Sequence, residues 1–323
     1  MLTRLCSVLA FGWLAILAAC SGGSDGGQGE AMGRLTLRIG DAPVDGATEV
    51  VVVFTGVVLH GPGGTRRIEF PERRVIDLLA YQNGATADLL NGVEVEAGEY
   101  DWMRLEVIAE QNRNDGSYIL FQSGEQYPLY VPSGSQTGLK LNRPFTVAAG
   151  GITRLVADFD LRKSIIQPPG LSPNYVLKPV LRLMDELEVG TIAGAVDLAG
   201  LAAAQLEPDA GPEDCAGGVY LFAGAAATPD DADGDGADGL DPVVYQPLPY
   251  DGLDPVVPYE IAFVEAGEYT VAATCNFDVD ASPEASEYDP GAASGEPGFG
   301  TMTWTTDDQV LVEPNAIATV NLP

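Results

Sequence analysis

The sequence contains one run of alternating aspartates, the residue type and spacing that calcium loops use. Asp231, Asp233 and Asp235 alternate before Gly236 and match the first half of the pattern D-x-D-x-D-G. Alternate carboxylates on a tight turn converge on one point, and calcium requires about six to eight oxygen ligands. Pro242 stands where an EF-hand has its closing bidentate glutamate, so the loop is not an EF-hand.

Other aspartates near the loop can complete such a site. Asp238 or Asp241 could close it, as in calcium loops without helices. We therefore predict calcium ligation by Asp231, Asp233, Asp235, Asp238 and Asp241. Asp278 and Asp280, just after Cys275, could add ligands if a disulfide brings their segment near. The alternative is a solvated acidic linker that binds no metal.

No pattern of residues in the sequence indicates acid–base or nucleophilic catalysis. His60 is the only histidine, and no neighbouring residue in the sequence indicates a nucleophile. Carboxylate pairs for glycoside hydrolysis are uninformative where acids are so abundant. Trp102, Trp304 and Tyr250 could line a sugar site, although aromatic residues of β-sandwiches more often pack in the core.

The first residues have the pattern of an export signal. Arg4 precedes an apolar run from Leu5 to Leu17, which is shorter than the ~20 residues that cross a bilayer. Leu17-Ala-Ala-Cys20 resembles the lipobox of bacterial lipoproteins, in which the cysteine is acylated after cleavage. This resemblance implies a signal peptide at residues 1–19, lipidation (palmitate) at Cys20 and a flexible tether at residues 20–32. The alternative is an ordinary signal peptide. Ser21 after the cysteine implies the outer membrane of a Gram-negative cell envelope.

Cysteine usage fits an exported protein. Cys6 leaves with the signal and Cys20 takes the lipid, so Cys215 and Cys275 remain. We predict one disulfide between them, and the alternative is two buried free thiols.

Charge divides the chain in two. The net charge is -31, all 16 Lys and Arg lie at or before Arg182, and 28 acids follow Leu183 with no base. This change in composition predicts two domains, at residues 33–185 and 190–323, and it argues against nucleic-acid binding. We expect metal ions or solvent salt to offset repulsion in the second domain. The alternative is an acidic surface that only confers solubility or tolerates salty water.

Strand patterns dominate both proposed domains. Polar and apolar residues alternate in Arg34 to Ile39, Asp101 to Ile108 and Thr153 to Asp160. Further strands are expected at Glu49–Val58, Val176–Leu183, Thr191–Val196, Gly218–Phe222, Tyr259–Phe263, Tyr269–Thr274 and Val310–Leu322. Only Asp77 to Leu90 could hold a short helix. We predict an all-β fold with two tandem β-sandwich domains of Ig-like or prealbumin-like type.

Two short repeats occur in the sequence. Val95-Glu-Ala-Gly-Glu-Tyr100 returns as Val264-Glu-Ala-Gly-Glu-Tyr269, each before an expected strand. The motif resembles the turn and strand of prealbumin-like and carboxypeptidase-regulatory-like sandwiches, which implies related topologies in both domains. Asp238-Gly-Leu-Asp-Pro-Val-Val244 also returns, as Asp251-Gly-Leu-Asp-Pro-Val-Val257, and could be a local duplication without function.

The first domain resembles domain-of-unknown-function family 4382 of bacterial lipoproteins across nearly all of Gly33 to Leu183. The motifs that carry the resemblance are Asp41-Ala-Pro-Val-Asp45, Val75-Ile-Asp-Leu-Leu79, Ala97-Gly-Glu-Tyr100, Ser135-Gln-Thr-Gly-Leu-Lys-Leu141 and Tyr175-Val-Leu-Lys-Pro-Val-Leu181. It implies a β-sandwich and no particular activity.

These observations together predict a non-catalytic binding or structural module on an envelope lipoprotein. Its expected partners are the membrane, through the lipid, and a glycan or an envelope protein. The alternatives are a surface hydrolase acting on glycans or peptides and a mechanical spacer without a ligand.

Overall fold

The computed structural model describes residues 31–42, 47–82, 84–110, 115–132, 138–167, 175–178, 180–232, 240–277 and 302–323. Within these ranges no helix is long and apolar enough to cross a membrane. Residues 31–323 form one compact unit. The pairings of the described strands nevertheless fall into two sets, which we call the N-terminal part (residues 32–185) and the C-terminal part (residues 189–322).

The N-terminal part is built almost entirely from strands. They are β1 (Met32–Ala42), β2 (Ala47–Gly61), β3 (Gly64–Asp77), β4 (Ala87–Glu96), β5 (Gly98–Tyr100), β6 (Trp102–Val107), β7 (Tyr118–Phe121), β8 (Gln126–Tyr130), β9 (Leu139–Leu141), β10 (Phe145–Val147), β11 (Ile152–Asp160), β12 (Ile165–Ile166), β13 (Tyr175–Leu177) and β14 (Leu181–Asp185). A 3-10 turn (Leu78–Tyr81) and helix α1 (Leu161–Ser164) complete it.

Two sheets of the N-terminal part enclose one core. The first has the order β14-β11-β1-β4, and the second has the order β12-β13-β8-β7-β2-β6-β9 with β3 also paired to β2. Leu37 on β1 and Phe159 on β11 meet Phe54 on β2 and Leu105 on β6 in one buried apolar cluster. Alternation produces this arrangement because every second side chain of a strand points to the same face. This confirms the predicted sandwich.

The C-terminal part is a smaller sandwich. Its elements are β15 (Val189–Asp197), α2 (Leu198–Gln205), a 3-10 turn (Pro212–Asp214), β16 (Gly217–Ala223), β17 (Val244–Leu248), β18 (Val256–Glu265), β19 (Gly267–Thr274), β20 (Thr305–Val312) and β21 (Ile317–Thr319). One sheet has the order β18-β15-β21 and the other β17-β16-β19-β20. Ile192 and Ile261 of the first sheet pack with Val219 and Val271 of the second. The all-β fold class is therefore confirmed, whereas the exact domain boundaries stay a prediction.

The Val-Glu-Ala-Gly-Glu-Tyr repeat forms the same turn twice. The Tyr100 hydroxyl donates a 2.8 Å hydrogen bond to the Glu96 carbonyl, and the Tyr269 hydroxyl donates one of equal length to the Glu265 carbonyl. Each phenol thereby ties its strand to the last residue of the preceding strand, as in the tyrosine corner of immunoglobulin-like sandwiches. Gly98 has φ of +138°, which favours glycine. We call these two features the tyrosine turns.

Several boundaries differ from the sequence prediction. Asp77 to Leu90 forms only one 3-10 turn before β4 begins, because the Asp77 carboxylate caps Leu79 N at 3.2 Å and the turn ends at Tyr81. The predicted strands Val176–Leu183 and Val310–Leu322 are each broken into two. Helix α2 was not predicted. It starts where the Asp197 side chain accepts a hydrogen bond from Ala199 N.

Candidate functional site

The two remaining cysteines form a disulfide. Cys215 precedes β16 and Cys275 follows β19, and these strands are antiparallel neighbours with Gly218 opposite Thr274. The Cα atoms of the two cysteines are 4.5 Å apart, and both residues are buried. The disulfide prediction is therefore supported, and the bond joins the ends of two central strands.

Gln205 at the end of α2 holds the chain beside this disulfide. Its Oε1 accepts a hydrogen bond from Cys275 N at 3.0 Å. Its Nε2 donates to Ala273 O at 3.1 Å and to Thr305 Oγ1 at 3.0 Å. One amide side chain thus fastens the helix to β19 and β20.

The predicted calcium loop is only partly described. Asp233, Asp235 and Asp238 lie outside the described residues, as do Asp278 and Asp280. Asp231 is buried and Asp241 is half-buried, and a bridge between Pro229 and Leu240 joins the two ends of the loop. Among the described residues no group of three or more possible metal ligands occurs. Calcium ligation remains a prediction.

The only histidine lies on an open face of the larger N-terminal sheet. His60 on β2 is directly opposite Trp102 on β6, and their rings stack with centroids 5.1 Å apart and planes 14° apart. The His60 Nδ1 is 3.0 Å from Thr65 Oγ1 on β3, and its Nε2 is 3.7 Å from an Asp101 carboxylate oxygen. The imidazole is therefore held mainly by the indole ring and one hydroxyl.

Cationic side chains occupy the next position along the same strands. Arg67 on β3 and Arg104 on β6 both lie opposite Val58 on β2, and Lys140 on β9 lies opposite Arg104. Directly opposite residues of antiparallel strands share a face. We call Arg67, Arg104 and Lys140 the cationic row. Lys140 Nζ is 4.6 Å and Arg104 Cζ 5.7 Å from the centroid of the Trp102 ring.

Acidic side chains follow on the far side of the cationic row. Glu106 lies two residues beyond Arg104 and is 2.7 Å from Arg67 Nε, and Glu69 is 2.6 Å from another Arg67 nitrogen. The hydrogen bond to Glu106 raises the pKa of Arg67. Arg67 is thus neutralised locally. Among the described residues neither Arg104 nor Lys140 pairs with a carboxylate.

A separate cleft of about 490 Å³ opens between β17 and β18, the edge strands of the two C-terminal sheets. Pro247 and Pro258 line it together with the carboxylate-bearing Glu260. The amides of Gln246 and, from the N-terminal part, Gln82 add polar groups. Such a volume suits a small ligand, but no described feature selects a ligand class.

The other predicted residues have packing roles or lie outside the described chain. Trp304 stands edge-on to Tyr220 at 4.9 Å in a second aromatic cluster, and Tyr250 packs against the C-terminal core. Trp102 alone of the three predicted aromatics lies on the open face. Cys20 is outside the described residues.

One contact between the two parts brings a cation to the acidic C-terminal part. Arg143, from the N-terminal part, is 2.6 Å from Glu265. The loop after β9 can therefore supply a cation to a region whose own sequence contains none. The sequence pattern could not reveal this contact because the two residues are 122 positions apart.

Comparison with protein families identifies one region. The family described as Domain of unknown function (DUF4382) matches residues 32–179. This confirms the resemblance of the N-terminal part, and the matched range contains β1 to β13 with the aromatic and cationic residues described above. No curated protein matches the sequence.

Comparison with solved structures found only remote likeness. A leucine-rich repeat protein from Bacteroides thetaiotaomicron has 13% identity and a TM-score of 0.22, with 91% of this chain and 26% of that chain covered. The TIE protein of Bacillus anthracis has 9% identity and a TM-score of 0.17, with coverages of 90% and 34%. A Bacteroides fragilis protein, provisionally described as a cell adhesion protein, has 9% identity and a TM-score of 0.22, with coverages of 89% and 91%. The chain thus spans about a quarter to a third of the first two. Scores this low do not establish a common fold or function.

Proposed function

We propose that the protein is a non-catalytic binding module, displayed on the bacterial cell envelope by a lipid on Cys20. The N-terminal part supplies a binding face, which consists of His60, Trp102 and the cationic row. The lipid and the tether at residues 20–32 place that face outside the cytoplasm, with the outer membrane as the expected location.

The stacking of His60 on Trp102 carries this proposal. In a Ser-His-Asp triad, the histidine base contacts a nucleophile through one ring nitrogen and an orienting carboxylate through the other. The Thr65 hydroxyl is within hydrogen-bond reach of His60 Nδ1. The Asp101 carboxylate oxygen is 3.7 Å from His60 Nε2, which is beyond hydrogen-bonding distance, and the Asp101 side chain is 74% exposed. An imidazole held by an aromatic ring on an open sheet suits ligand contact better than proton transfer.

Export is supported by the buried disulfide, since such bonds persist in oxidising compartments. Anchoring is tested by labelling cells with a radioactive or alkyne-bearing palmitate. We expect label on the wild type and none on Cys20→Ser, which should also leave the membrane fraction. Unlabelled wild-type protein that keeps its leader would contradict the anchor.

Calcium binding to the loop at residues 231–241 belongs to the same proposal. Asp230 and Asp231 are both buried at the entry to this loop, and buried carboxylates favour a nearby cation. We expect excess calcium to raise the melting temperature of the wild type above its value in chelator. Asp233→Asn with Asp235→Asn should abolish that difference. Identical wild-type melting curves would remove calcium from the proposal.

Binding and hydrolysis are separated by one pair of assays. The purified protein is applied to an array of bacterial glycans, and the same glycans and mixed peptides are tested for cleavage products. We expect retention without turnover, and weaker retention for Trp102→Ala. Cleavage that depends on His60 or Thr65 would favour the surface hydrolase instead.

A further inference from the structure

We infer that Arg104 and Lys140 form a binding site for one discrete oxyanion group, such as a carboxylate or a sulfate. The inference rests on the proposed binding function and names the chemical group that the face would recognise. The site lies on the outer side of β6 and β9, between Trp102 and the acidic residues Glu69 and Glu106.

The first argument is the placement of like charges. Arg104 and Lys140 are directly opposite each other on neighbouring antiparallel strands, where like charges destabilise the pair. Arg67 in the same row has two carboxylates beside it. Among the described residues, the other two cations share the Trp102 ring, which attracts cations but does not neutralise them. An anion between them would remove the repulsion.

The second argument is an unused hydrogen-bond donor. The Arg104 Nε is buried and has no hydrogen-bond partner among the described residues. A buried donor without an acceptor is unfavourable, and a guanidinium matches two oxygens of a carboxylate, sulfate or phosphate group. Trp102 restrains the guanidinium beside its ring, so the donor is ordered before a ligand arrives.

The neighbouring acids limit the size of the anion. Glu106 and Glu69 lie on the far side of the cationic row, and the whole chain has a net charge of -31. An extended anionic surface such as a lipid bilayer would be repelled by these charges. A single anionic group on an otherwise neutral ligand can contact Arg104 and Lys140 without reaching the glutamates.

The experiment measures anion binding by the purified full-length protein at low ionic strength. Sulfate and glucuronate are titrated while Trp102 fluorescence is followed, with Trp102→Phe giving the background signal. We expect saturable binding of both probes, and about a tenfold loss of affinity in Arg104→Gln and in Lys140→Gln. Lys140 is exposed, so its substitution should leave the fold intact even if Arg104→Gln unfolds the protein.

Arg73→Gln is the matched control. Arg73 is a cation on β3, the strand that also carries Arg67. It contacts Asp115 and not the Trp102 ring, so its loss should leave affinity unchanged. No saturable binding, or an equal loss in the control, would overturn the site. Binding only to phosphatidylglycerol vesicles, without binding of the free anions, would overturn it as well. Retention of neutral glycans, unaffected by Lys140→Gln, would refute the oxyanion site and leave the binding module standing. Anion binding together with His60-dependent hydrolysis would support the oxyanion site and refute the non-catalytic binding module.

Discussion

The two tyrosine turns form the same hydrogen bond in parts of the chain that differ in charge. The Tyr100 turn belongs to the N-terminal part, which contains all the basic residues of the described chain. This part has ion pairs such as those of Arg67. The Tyr269 turn belongs to a part without a base of its own, in which a disulfide joins two central strands. Both turns nevertheless keep the same 2.8 Å bond to a backbone carbonyl.

This comparison distinguishes the sequence features that form a β-sandwich from the contacts that stabilise it. Alternating apolar residues and the tyrosine turn occur in both parts and do not depend on charge. The stabilising contacts differ between the parts. The N-terminal part has ion pairs among its own residues, whereas the C-terminal part has a disulfide and an ion pair with Arg143 of the N-terminal part. Because Trp102 and Trp304 lie in different parts, single-tryptophan variants can report on each part separately.

The largest expected effect is the loss of the disulfide. Cys215→Ala with Cys275→Ala should lower the free energy of unfolding by about 4 kcal/mol, because the bond closes a loop with a sequence separation of 60. The measurement is denaturant unfolding followed through Trp304 in a Trp102→Phe background. Reductant should weaken the wild type and leave the double variant unchanged. A wild type that reductant does not weaken would show that the disulfide does not distinguish the two parts.

A somewhat smaller effect is expected for a buried ion pair of the N-terminal part. Arg182 Nη2 is 2.5 Å from the carboxylate of Asp158, which is buried. Arg182→Gln should cost about 3 kcal/mol, since it leaves a buried charge unpaired. Burial already raises the pKa of Asp158 despite the arginine. The raised pKa favours the protonated acid in the folded state, so the deficit should shrink as pH falls, and Asp158→Asn should restore part of it.

The tyrosine turns should contribute equally. Tyr100→Phe and Tyr269→Phe should each cost about 1 kcal/mol near neutral pH. Burial raises both phenol pKa values, so above about pH 10 the unfolded chain loses these protons first and wild-type stability falls as pH rises. Unfolding free energies measured from pH 8 to 11 should fall less steeply in both variants. A cost confined to Tyr269→Phe would mean that the turn matters only in the part that has no basic residue of its own.

The smallest effect is expected at the contact between the parts. Arg143→Gln should cost less than about 1 kcal/mol, because both side chains of its pair with Glu265 are about half exposed. Added salt should reduce even this difference. A double-mutant cycle with Glu265→Gln, analysed at low and high salt, measures the coupling. A coupling energy that salt does not change would indicate a desolvated contact instead.

Local sequence patterns predicted the strands in which polar and apolar residues alternate. β1, β6 and β11 follow from the alternation of polar and apolar residues in the sequence. The pairing of Cys215 with Cys275 followed from the predicted export signal and the cysteine count. Helix α2 was missed because Leu198 to Gln205 is apolar on all sides and shows no helical periodicity. Its capping Asp197 was the one available signal.

The binding face could be predicted only in part. Alternation indicates that Trp102, Arg104 and Glu106 point away from the core, because Met103, Leu105 and Val107 point towards it. That Lys140 lies opposite Arg104 depends on the pairing register of β6 and β9, which local sequence does not specify. The calcium prediction concerns residues mostly outside the described chain and remains a prediction.

The prolines beside the C-terminal cleft have a further consequence for contacts between copies of the protein. Exposed edge strands of a sheet are sites where neighbouring molecules can add strands and start fibres. β17 and β18 are edge strands, and Pro247 in β17 and Pro258 in β18 have no amide hydrogen to donate to an added strand. If the proposed lipid holds copies side by side, pairing between copies along β17 or β18 cannot form a continuous intermolecular ladder.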